Sequence, residues 1–74
     1  MATMTNKRLN PCTVEWMTPK DLKSRHFTDK VEASKWVVKR QDNDPRFSFY
    51  RMSGDTWVVY NMDTVRGWAN GKNV

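Results

Sequence analysis

The sequence predicts a small α+β domain whose elements run strand, helix, helix, strand, strand, short helix. Three observations predict it. The stretch 28–40 has the clearest helical pattern in the chain and its densest basic charge. Residues 46–52 and 56–61, rich in aromatic and β-branched side chains, flank Ser53-Gly54-Asp55 as the two arms of a hairpin. Ahead of both, Thr18-Pro19-Lys20-Asp21 places a capping hydroxyl, a proline at a first helical position and an acid two residues later, which is a helix-start signal.

Size and charge narrow the class. Seventy-four residues make one small domain with a modest core, so the four tryptophans must all contribute to it. Thirteen Lys and Arg against eight Asp and Glu leave a net charge of +5, which favours a polyanion or an acidic protein surface as partner. A single cysteine, Cys12, excludes an internal disulfide, and one Cys with one His does not make a zinc site. No cofactor is expected. No apolar run approaches the roughly 20 residues of a membrane span, and residues 1–10 lack the apolar region of a signal peptide. These features point to a soluble cytoplasmic protein with no membrane partner.

In chain order, residues 1–11 are polar, carry Lys7 and Arg8 and end at Pro11, and read as a flexible basic arm before a domain over 12–70. Val14 and Trp16 alternate with polar neighbours in a short strand over 13–17. A short helix over about 19–25 follows, with Leu22 as its only large apolar residue, and His26 is a candidate C-cap at its end. Phe27 precedes the next cap as a hydrophobic staple. Thr28 or Asp29 then caps the second helix, Glu32 has capping-box spacing from Asp29, and Lys39 and Arg40 complement the dipole at its far end. Ala33, Trp36 and Val37 form its core stripe. Asp42-Asn43-Asp44-Pro45 ends it. In the hairpin, Phe47 and Phe49 share a face with Arg51, Trp57 shares one with Val59, and Tyr50 and Tyr60 lie outside as cross-strand packing. Asp63 caps a last short helix holding Val65 and Trp68, Asn70-Gly71 stops it, and 71–74 form a frayed tail.

Two successive helices followed by a hairpin is the order of a winged helix-turn-helix, whose second helix enters the DNA major groove. Within it, Thr18 to Leu22, Ala33-Ser34-Lys35-Trp36-Val37, the wing Met52-Ser53-Gly54-Asp55-Thr56-Trp57-Val58-Val59 and the closing Asp63-Thr64-Val65-Arg66-Gly67-Trp68 resemble phage excisionases and AlpA-like regulators over about residues 13 to 70. The resemblance implies a small non-catalytic protein that binds double-stranded DNA repeats at recombination sites or promoters, often beside an integrase. The chain departs from the family in lacking a turn glycine over 24–28 and in carrying Asp55 at the wing tip.

The candidate reading set on the second helix is Lys30, Glu32, Ser34, Lys35 and Lys39, with Ser34 and Lys35 placed for base edges and Lys39 for a phosphate. Lys20, Lys23, Arg25, Arg46 and Arg51 are candidates for the DNA backbone. Each also fits a solvated surface charge. Val31 and Val38 lie beside the charged face, where Val31 suits a thymine methyl and the pair suits a strip for a protein partner. A second expectation is a phage-type effector that binds and modulates a host protein such as RNA polymerase through a sheet edge or that valine strip. Neither a nucleophile motif, a metal cluster nor a phosphate loop is recognisable, so an enzyme is not expected.

Overall fold

The computed structural model describes residues 10–72, and most of the expected basic arm, with Lys7 and Arg8, lies outside them, as do Asn73 and Val74. The domain is α+β: strands β1 (Cys12–Met17), β2 (Leu22–Phe27), β3 (Ser48–Ser53) and β4 (Val58–Val59), with helices α1 (Lys30–Asn43) between the hairpins and α2 (Met62–Ala69) at the end. The strands form one antiparallel sheet in the order β2-β1-β3-β4. Both helices lie on the same side of it.

The helix expected over 19–25 is corrected to a turn and a strand. The Thr18 hydroxyl, read as an N-cap, instead closes a hairpin. It lies 2.9 Å from the Asp21 carbonyl and 2.8 Å from Asp21 Oδ1 as donor, and it accepts from the Lys20 and Asp21 amides. The Thr18 amide donates to the same carbonyl at 2.7 Å. A seven-residue helix with one apolar side chain gains little from packing and does not outweigh its nucleation cost. Pairing every β2 residue with β1, from Met17↔Leu22 to Cys12↔Phe27, satisfies the same backbone. His26 therefore sits in a strand rather than at a helix C-cap, its Nδ1 3.3 Å from Thr13 Oγ1. With the first helix gone, no helix-turn-helix unit precedes the hairpin among the described residues.

α1 is capped by Asp29, whose carboxylate accepts from the Glu32 amide at 3.3 Å. It runs beyond Arg40 to Asn43, and Asp44 closes it by donating its amide to the Arg40 carbonyl. Ala33, Ser34 and Val37 are fully buried on the sheet-facing side with Val14 and Met52. Val31 and Val38 lie about a quarter turn away, on the flank that Asp42 shares. There the Arg66 guanidinium of α2 binds Asp42 at 2.8 Å, and Val38 packs on the core. The valines thus border the helix pair.

β3 carries a bulge: its partners on β1 step from Arg51↔Glu15 to Phe49↔Trp16, leaving Tyr50 as an extra residue. The extra residue reverses the alternation. Phe49 lies with Trp16 on the helix side, whereas Arg51, expected to share its face, projects from the open side of the sheet. α2 begins at Asn61, which accepts from the Thr64 amide at 2.8 Å, so Asp63 is a first-turn acid and not the cap. Its end is a Schellman closure in which Gly71, at φ +82°, donates to Trp68 and Lys72 donates to Gly67.

Candidate nucleic-acid interface

The cationic residues gather where α1 meets the outer strand. Because β2 alternates, Lys23, Arg25 and Phe27 face the helix side, opposite Trp16, Val14 and Cys12. Trp36 of α1 reaches over this strand, with ring centroids 5.5 Å from Phe27, 5.1 Å from Trp16 and 6.0 Å from Phe47. Two guanidiniums stack on that aromatic group. Arg25 lies 5.3 Å from the Trp36 centroid and 5.0 Å from Phe27; Arg40, one helical turn beyond Trp36, lies 5.1 Å from Trp36 and from Phe47. Trp36 therefore orients one arginine from a strand and one from its own helix. Arg46 stands beside Phe47 at the same end of the domain.

A guanidinium stacked on a ring keeps its N–H edge turned outward, in a fork that matches the oxygens of a phosphate. Among the described residues no carboxylate lies within 4.0 Å of Lys23, Arg25, Lys35, Lys39 or Arg46, and Arg40 has only Asp44 at 3.7 Å. The charge here is largely uncompensated. Lys35 and Lys39 extend it along the exposed side of α1, next to Glu32, and Lys20 stands exposed in the adjacent 18–21 turn.

Other candidates from the sequence fall elsewhere. Ser34 is fully buried and donates its hydroxyl to the Lys30 carbonyl at 2.7 Å, which corrects its placement on the outer face. Lys30 is occupied on the opposite flank of α1, its ammonium 4.2 Å from the Trp68 centroid and 5.7 Å from Trp57. Arg51 is bound to Glu15 on the open side of the sheet, with Nε 2.6 Å from Oε1. Hydrogen bonds to Glu15 and then Tyr60 raise its pKa further. It is not with the other backbone candidates. Arg40 joins the site although its place in the sequence marks it as a complement to the helix dipole. The signal was present in the four-residue spacing from Trp36, which makes the two side chains neighbours on a helix.

The open side of the sheet has a different character. Met17, Leu22, Tyr50, Val58 and Tyr60 are between 42% and 57% exposed and project there around the Glu15–Arg51 pair. Tyr50 and Tyr60 meet edge to face at 6.1 Å. Among the described residues no helix is long and apolar enough to cross a membrane, and no group of three or more His, Cys, Asp or Glu is placed to hold a metal. No protein-family model, curated protein or solved structure matches the chain.

Proposed function

We propose that the chain is a small non-catalytic regulator that binds duplex DNA, holding the phosphates with the face shared by α1 and β2. The observation that carries this reading is the pair of guanidiniums from two elements stacked on Trp36. Lys23, Lys39 and Arg46 flank them without carboxylate partners among the described residues. Rigid, outward-turned cations are suited to a regular array of phosphates. Lys35 and Glu32, exposed on α1, are the groups left to touch base edges. The likeness to excisionases and AlpA-like regulators now rests on α1 and the hairpin after it, since the family's preceding helix stands here as β2.

The test is fluorescence anisotropy with labelled duplexes across a salt series, after selection from a random duplex library. A preferred sequence should emerge, and log affinity should fall linearly with log salt. Arg25→Ala and Lys23→Ala should each lower the slope by about 0.9, the value of one released phosphate contact. Arg51→Ala should leave the slope unchanged, because that side chain projects from the other side of the sheet. Binding without sequence preference removes the regulator, and a slope that ignores Arg25 and Lys23 removes the interface.

A second reading has its own support in the five exposed apolar residues of the open sheet face. It is the phage-type effector, with this face seated on a host protein such as bacterial RNA polymerase. Capture of stoichiometric polymerase from nuclease-treated lysate, lost in Tyr60→Ser and kept in Arg25→Ala, is the result that favours it over DNA.

A further inference from the structure

The two edges of the sheet differ. β4 is two residues long and runs at once into α2. β2 is six residues long, pairs with β1 without a register break and, among the described residues, has no strand on its other side. Among the described residues, one row of its backbone N–H and C=O groups has no partner strand. Such an edge is a template for another strand.

Charge selects the strand that fits. Lys23 and Arg25 stand at alternate positions on the helix side, and Leu22, Ser24 and His26 alternate on the open side; β2 carries no acid. A second copy of β2 pairs badly with the first in its two central registers. Antiparallel pairing centred on Ser24 sets Lys23 against Arg25 at two places, and pairing centred on Arg25 sets two guanidiniums face to face. Like charges directly opposite are destabilising. A segment with acids at every second position instead places them against Lys23 and Arg25, and its intervening residues against Leu22, Ser24 and His26.

We infer that β2 is a docking edge for an extended acidic segment of a partner protein, which joins the sheet as a fifth strand with its acids on the helix side. This goes beyond DNA binding and does not depend on it. The edge supplies backbone hydrogen bonds, and Lys23 and Arg25 set the register.

The probe is a capped peptide alternating glutamate with valine and threonine, titrated into the ¹⁵N-labelled full chain. Shifts and amide protection should appear along Leu22–Phe27 and pass to β1. Two further peptides of the same charge carry N-methyl groups on alternate sets of amide nitrogens. At least one of them should lose binding, because one set donates to β2. The charge-reversed chain Lys23→Glu/Arg25→Glu should bind the parent peptide at least about tenfold more weakly, as two cross-strand pairs turn repulsive. The inference is overturned if the parent peptide leaves β2 unshifted at millimolar concentration. It is equally overturned if both methylated peptides bind as well as the parent, since the peptide is then held by charge alone.

Discussion

Gly54 and Gly67 are both glycines, and the structure gives them opposite roles. A Cβ on Gly54 would run into the indole of Trp57, and that ring has little room to retreat because it stands edge to face with Trp68 at 5.1 Å. Glycine is needed there for close approach. Gly67, inside α2, has nothing within 4 Å of where a Cβ would stand. Gly54→Ala should therefore destabilise the fold by about 1–3 kcal/mol, as overpacking does. Gly67→Ala should stabilise it by about 0.5–1 kcal/mol through helix propensity. Urea midpoints of the two variants check the signs. Cys12, only 2% exposed, makes a pH prediction. Burial first, with the Asp29 carboxylate second, pushes its thiol up to about 11. The folded state thus resists ionising a group that the unfolded chain ionises near 9.0. The stability owed to the neutral thiol is complete below that pH and is lost as pH rises towards 11. Ellman's reagent at pH 8 should react with Cys12 only in denaturant, and Cys12→Ala should flatten the loss of stability in alkali.

The elements that bury a face were the ones legible from sequence. Ala33 and Val37 mark α1 at helical spacing because the sheet lies beneath them, and the paired aromatics of 47–59 mark the second hairpin for the same reason. β2 hides no such pattern, since five of its six residues are exposed and its helix side carries Lys23 and Arg25, so no apolar period of two appears. The signal that remained, Thr18-Pro19-Lys20-Asp21, serves equally to start a helix or to close a turn, because both need a side-chain oxygen over successive free amides. The candidate site was half legible for the same reason. The exposed cations were visible as charge, but their grouping around Trp36 depends on β2 being a strand that brings Arg25 under α1. Between the helices, Asp42 and Arg66 are too exposed to contribute much, yet their pair is measurable. The hydrogen bond from Arg66, with its charge, lowers the Asp42 pKa below 3.8. The contribution is therefore present above the ordinary aspartate range and lost as pH falls through the depressed value. A carbon-detected titration should find Asp42 below the ordinary aspartate value, and Arg66→Gln should return it towards that value.

At the scale of the whole molecule the two sides of the sheet divide the labour. One carries two helices and, at its β2 margin, the stacked cations; the other carries apolar side chains around an internally satisfied ion pair. Trp36 links the cationic groups because it alone contacts both Arg25 and Arg40. It holds charge in place without contributing charge, so its removal separates positioning from neutralisation. Trp36→Leu keeps an apolar side chain over Trp16 and every cation in the chain. The number of phosphates neutralised, and with it the salt slope, should stay as in the parent. The guanidiniums lose two stacking contacts of about 0.5–1 kcal/mol each and must be ordered afresh on binding. Affinity for duplex DNA at fixed salt should then fall by roughly 5- to 30-fold with an unchanged slope. Arg25→Ala lowers both. If Trp36→Leu, shown to be folded by its melting transition, lowers the slope as Arg25→Ala does, the indole is not a positioning residue and the cluster is held by other contacts.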